Sequence, residues 1–223
     1  MSTLLVAVNP KADSLTVHVA RRLEEALGSS GVEVADLAAE GFDPRFTLAD
    51  RHVYHEGTDH PDDVRQEHRR LERASELVLV FPVYWWSAPA LLKGWFDRVF
   101  VNGWAFDYAP ETGIVRRLQG LRVHLIPVAA DDASLYERHG YESALRTQIE
   151  HGIVDFCGAQ RGVTAFLYES EQDDDVARQR SIDRVVTAVS EAITGVTITA
   201  GSEPADGMAG ASAGVAAPGD VSA

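Results

Sequence analysis

Cysteine, lysine and long apolar runs are all scarce in this sequence. Cys157 is its only cysteine, so no internal disulfide can form. Lys11 and Lys93 are its only lysines, and 34 acidic against 20 basic residues leave a net charge of −14. Such a surface repels phosphate backbones, which excludes nucleic-acid binding through a broad basic face. No window approaches the roughly 18 consecutive apolar residues of a membrane span. The start, MSTLLVAVNP, lacks the charged end and apolar run of a signal peptide, so a cytoplasmic location is expected. Neither GxGxxG nor GxxxxGK[ST] occurs, and no Ser/His/Asp triad can be argued. His52, His55 and His60 cluster in one stretch, but they lack a cysteine or a second fixed spacing, and no metal is expected.

Short β-branched runs alternate with longer stretches of helical periodicity, the pattern of an α/β fold with a parallel sheet. Strands are expected at Thr3–Val8, Val32–Leu37, Leu77–Phe81, Leu121–Val128 and Gly162–Leu167. Helices are expected at Ser14–Leu27, Asp62–Glu76, Pro89–Val101, Tyr141–Phe156 and Asp173–Ile193. In the first of these Leu15, Val19, Leu23 and Leu27 form one apolar stripe, which packs on the sheet. Residues 38–60 read as a long connection without periodicity. Right-handed βα units then order the five-stranded parallel sheet 2-1-3-4-5. From Gly195 the chain turns to Gly, Ala, Ser, Pro and small acids, so residues 1–195 read as one domain and 196–223 as a disordered tail.

Ligands of such sheets bind beyond the carboxyl ends of the strands, where the loops Asn9–Thr16, Pro82–Ala88 and Ala129–Gly140 lie. The first leads into a helix N-terminus, which attracts an anion such as phosphate, although Asp13 and Ser14 serve equally as plain caps. In the second, Pro82 is expected to stop the strand ladder and send Val83, Tyr84, Trp85 and Trp86 off the sheet edge. Large aromatics there need apolar company, and either a planar ring ligand or ordinary core packing supplies it. Trp95 sits in a strongly apolar helix and reads as core or subunit contact.

The segment FPVYWWSAPALLKGWFDRVFVNGWAF at 81–106 resembles the signature of the NAD(P)H:quinone oxidoreductase family with the flavodoxin-like fold. That family includes the DT-diaphorase, drug-activity-modulator and potassium-efflux-ancillary types. NPKADSLT at 9–16, the stretch Asp36 to Pro44, GWAFDY at 103–108 and DFCGAQ at 155–160 agree with it. The resemblance implies a three-layer flavodoxin-like sandwich that binds FMN or FAD, takes a hydride from NADH or NADPH, and reduces a quinone-like acceptor in a ping-pong cycle. It implies that Asn9, Ser14, Leu15 and Thr16 receive the flavin phosphate and that Pro82, Val83, Tyr84, Trp85 and Trp86 flank the ring. Ala129, Ala130 and Asp131 would complete the cofactor site, with Tyr136 and His139 as catalytic residues. Phe106 and Tyr108 would close over the ring from the other subunit of a homodimer, binding substrate. The chain departs from the family at Asn9, where many relatives have histidine, and at Ala129–Asp132, where they often read TTGG. A flavin-binding regulatory subunit of a membrane transporter, or a one-electron carrier, is the rival expectation.

Overall fold

Every residue of β1 (Thr3–Ala7) is buried, which its unbroken run TLLVA requires of a central parallel strand covered on both faces. The computed structural model describes residues 2–28, 30–56, 59–111 and 113–195. After β1 come α1 (Leu15–Leu27), β2 (Val32–Asp36), α2 (Leu48–Glu56), α3 (Asp62–Arg73), β3 (Glu76–Pro82) and α4 (Ala90–Val99). The hairpin strands β4 (Phe106–Ala109) and β5 (Gly113–Arg116) follow, then β6 (Arg122–Val128), α5 (Ala133–His139) and α6 (Tyr141–Arg146). A π-helical stretch, Thr147–Asp155, leads to β7 (Gln160–Thr164) and α7 (Asp175–Thr194).

Five parallel strands form one sheet in the order β2-β1-β3-β6-β7. The expected 2-1-3-4-5 numbering needs correction, because the separate β4-β5 hairpin enters the chain between the third and fourth strands of the sheet. Alternate side chains split the core. Leu4, Val6, Leu79, Phe81 and Leu125 pack with Trp95, Val99 and Ile149 on one face. Leu5, Ala7, Val78, Val80 and Ile126 meet α1 through Val19 and Leu23, and α7 through Val185 and Val189, on the other. Three layers result.

Elsewhere the structure departs from the sequence-based boundaries for local reasons. The connection 38–60 contains α2, which is held by charge rather than by an apolar stripe: buried Arg98 donates from Nε to Asp50 Oδ1 at 2.9 Å and from Nη1 to the Asp43 carbonyl at 2.8 Å. The helix expected to reach Glu76 ends at Arg73, since Glu76 pairs with Thr3 and Arg122 in the sheet. The last strand runs Gln160–Thr164, not Gly162–Leu167. Its register shifts where buried His124 accepts the Val163 N–H at 3.0 Å, and the His124 ring fills the space that a side chain on Gly162 would occupy. The helix expected over Tyr141–Phe156 is α6 continued by the π-helical stretch. Residues 196–223 lie outside the described residues.

Gly94 on α4 lies against the 42–44 connection so closely that a Cβ there would overlap the Pro44 carbonyl. Gly94→Ala is therefore expected to lower unfolding free energy by about 1–3 kcal/mol despite its better helix propensity. An unchanged thermal midpoint would contradict this close approach.

Candidate functional site

The loop after β1 carries a helix cap and two free donors. Asn9 Oδ1 accepts the Lys11 N–H at 3.0 Å, and Asn9 Nδ2 donates to the buried Thr16 hydroxyl at 3.3 Å. Ser14 is the N-cap of α1, its Oγ accepting the Val17 N–H at 3.3 Å. The capping expectation thus holds for Ser14. Next to it the N–H groups of Leu15 and Thr16 make no hydrogen bond among the described residues, and they stand at the positive end of the helix dipole.

The loop after β3 is a closed aromatic turn. Pro82 does not stop the ladder: it pairs with Val128, and the Val83 N–H donates to the Val128 carbonyl at 2.8 Å. A proline lacks only its own N–H, so the next residue can resume the pairing. Tyr84 and Ser87 then exchange both backbone hydrogen bonds at 3.1 Å around Trp85 and Trp86. Those two residues have φ of +48° and +56°, the left-handed geometry of a type I′ turn that Asn-Gly ordinarily supplies. Holding bulky side chains there costs about 1 kcal/mol or more per residue, and such strain collects at functional sites. Trp85 is 84% exposed, whereas Trp86 is half-buried and stacks on Tyr141 with centroids 4.2 Å apart. The amide groups of Trp85 and Trp86 make no hydrogen bond among the described residues. Trp95 is core: it is fully buried and donates from Nε1 to Glu67 Oε2 at 3.0 Å.

The loop after β6 uses one of its two carboxylates as a helix cap. Asp132 caps α5, accepting the Leu135 N–H at 2.8 Å and the Ser134 hydroxyl at 2.6 Å, while Ala130 and Asp131 are exposed and Ala129 is buried. Tyr136 is the one buried residue of α5, and Tyr141, Phe166 and Tyr168 surround its ring. Burial first, and the Asp131 charge second, push its phenol up to about 12 and hold it protonated. His139 ends α5, exposed, with its ring 5.1 Å from that of Tyr141. Tyr141 therefore touches both expected catalytic residues and the aromatic turn. Sequence reasoning missed it; the available signal was an aromatic directly after Gly140, where α5 ends with φ +68°.

Phe106 is buried on β4, and Tyr108 is 60% exposed. Among the described residues neither ring stacks on Trp85, Trp86, Tyr136 or Tyr141. Phe106 instead lines an apolar groove of about 640 Å³ that runs from Ser87 and Ala88 along Phe96, Ile149 and Phe156. Cys157 also lines it, its thiol pushed up to about 11 by burial and so unreactive.

Free amides at the α1 N-terminus suit a phosphate, the free amides of the turn suit the polar edge of a heterocycle, and its indoles suit a ring face. That donor set fits a flavin. The chain is 32% identical over 148 residues to the ribosyldihydronicotinamide dehydrogenase (quinone) of Pongo abelii, covering 57% of this chain and 63% of that one. It is 31% identical over 178 residues to NAD(P)H dehydrogenase (quinone) 1 of Rattus norvegicus, covering 70% of this chain and 65% of that one. The matches thus span just under two thirds of each relative. Among solved structures, the NAD(P)H:quinone oxidoreductase from Methanothermobacter marburgensis superposes with a TM-score of 0.77 at 25% identity, over 86% of this chain and 96% of that one. A profile described as "Flavodoxin-like fold" matches residues 1–189, and with the sheet order above it follows that the chain belongs to the flavodoxin-like fold family.

Proposed function

We propose that the protein is a flavin-dependent NAD(P)H oxidoreductase that reduces quinone-like acceptors. The observation that carries this reading is the strained, solvent-facing Trp85–Trp86 turn, which shares the carboxyl edge of the sheet with the free donors of α1. The flavin, when bound, accepts a hydride from NADH or NADPH and hands two electrons to the acceptor. The residues of the chain bind and orient it: Asn9, Ser14, Leu15 and Thr16 hold its phosphate, and Pro82 to Trp86 hold its ring, with Ala129, Ala130 and Asp131 closing the far side. Tyr136 would offer its phenolic hydrogen to a polar atom of the flavin, and the exposed His139, stacked on Tyr141, its imidazole to an incoming ligand. FMN and FAD both meet this donor set. A pocket of about 420 Å³ beside Ser14 is lined by Asp13 and Asp175 as well as Arg178, whose guanidinium is paired with Asp175, so it does not favour the dinucleotide over FMN.

One flavin site would serve both substrates in turn, so nicotinamide would leave before the acceptor enters. Initial rates of NADH or NADPH oxidation against a soluble quinone are expected to give parallel double-reciprocal lines. Intersecting lines would overturn the ping-pong order, and negligible turnover by flavin-loaded protein would favour the regulatory-subunit reading instead. The apolar groove supports a homodimer in which Phe106 and Tyr108 of each chain complete the partner's site; sedimentation at the 24.3 kDa chain mass alone would contradict it. No described helix is long and apolar enough to cross a membrane. We place the protein in the cytoplasm, where reduced nicotinamides are available.

A further inference from the structure

We infer that Tyr141 is a positioning residue that clamps the aromatic turn in its left-handed form and so aims the Trp85 and Trp86 amides at the flavin. Neither central residue of the turn is glycine, so the backbone alone does not favour φ of +48° and +56°. Something outside the turn must hold it. Trp85, at 84% exposure, has little packing of its own beyond an edge contact with Trp86. Trp86 stacks on Tyr141 at 4.2 Å with planes 23° apart, and Tyr141 in turn lies 5.1 Å from His139 at 22° and edge-on to Tyr136 at 6.0 Å. A second tie runs parallel, since the Ser87 hydroxyl donates to Gln148 Oε1 at 2.8 Å. Both ties join the loop after β3 to the chain after β6, one at the start of α6 and one in the π-helical stretch.

Tyr141 packs against the core. It is the first residue of α6, directly after Gly140, so its backbone is held by the helix start. Its contact with the turn is made by the ring face, which assigns the clamp to the ring. This inference rests on the flavin reading for its function, but the stack itself is testable without flavin.

The test compares the full-length protein with Tyr141→Leu, Tyr141→Gln and Tyr141→Phe, by titration with FMN and FAD, by acrylamide quenching of tryptophan emission without flavin, and by thermal melting. The leucine and glutamine variants remove the ring, and the glutamine variant serves if the leucine variant fails to fold. Both are expected to bind flavin about tenfold more weakly, ~1.4 kcal/mol, with more quenching and a melting midpoint near that of the parent. The phenylalanine variant is expected to match the parent in affinity and quenching. Parent-like affinity and quenching in the ring-less variants would overturn the clamp, as would a phenylalanine variant as weak as they are. If the parent itself binds neither flavin, the proposed function falls, while increased quenching in the ring-less variants still supports the clamp and unchanged quenching overturns it.

Discussion

Trp85→Ala is expected to weaken flavin binding about tenfold or more while leaving the fold intact, and Trp95→Ala to do the reverse. The two indoles lie ten positions apart but in opposite surroundings. Trp85 is 84% exposed at the tip of a surface turn, so its removal opens no cavity. Trp95 is fully buried among Phe96 and Phe100, and its removal leaves a large void and deprives the buried Glu67 carboxylate of its Nε1 donor. A loss of about 4 kcal/mol in unfolding free energy follows for Trp95→Ala. Urea melts and flavin titrations of both variants separate the two roles. Equal flavin retention in folded forms of both would place the ring elsewhere.

Arg98→Met is the second large effect, expected to cost about 3 kcal/mol at neutral pH because it strands a buried carboxylate. Asp50 is buried, and burial alone pushes it up. Hydrogen bonds from the Thr47 hydroxyl and amide and from Arg98 outweigh burial and hold it below its ordinary 3.8. A carboxyl held low in the folded state contributes stability above its unfolded-state value, and that contribution fades as pH falls through the folded-state value. Removing Arg98 lets Asp50 rise, so the acid limb of the stability curve moves to higher pH. Urea melts are expected to show a smaller difference from the parent at about pH 3 than at about pH 7. Adding Asp50→Asn is expected to recover part of the loss, because no charge is then left unpaired. A deficit independent of pH and unrelieved by the second substitution would show that Arg98 acts by packing alone.

What was legible in the sequence follows burial. β1, β3 and β6 are covered on both faces, so their apolar runs stand out, and α1 shows its stripe because one face meets the sheet. α2 is illegible locally: its anchor, Asp50, finds Arg98 across 48 positions, a partnership no periodicity reports. α5 has the cap Asp132 and the terminating Gly140, yet only Tyr136 is buried, too little for a repeat. The β4-β5 hairpin has strands of four residues with one buried side chain, Phe106, between them.

The loops of the candidate site were legible in the sequence, and their geometry was not. The aromatic loop after a central strand was legible as a loop at the carboxyl edge of the sheet, but Trp-Trp is a poor sequence for a type I′ turn, and no local rule predicts one there. The turn's outside contacts, the Trp86 stack on Tyr141 and the Ser87–Gln148 hydrogen bond, come from 55 and 61 residues further along the chain. Pro82 misled in the opposite sense, since a proline suggested that pairing ends where it in fact resumes at Val83.

The claim on which the rest depends is that three loops at one edge of the sheet bind a phosphorylated flavin. Heating the purified full-length protein and measuring the mass of whatever is released tests this most directly. The expected result is a yellow supernatant containing FMN or FAD; a colourless protein that also takes up neither flavin when each is added would contradict it.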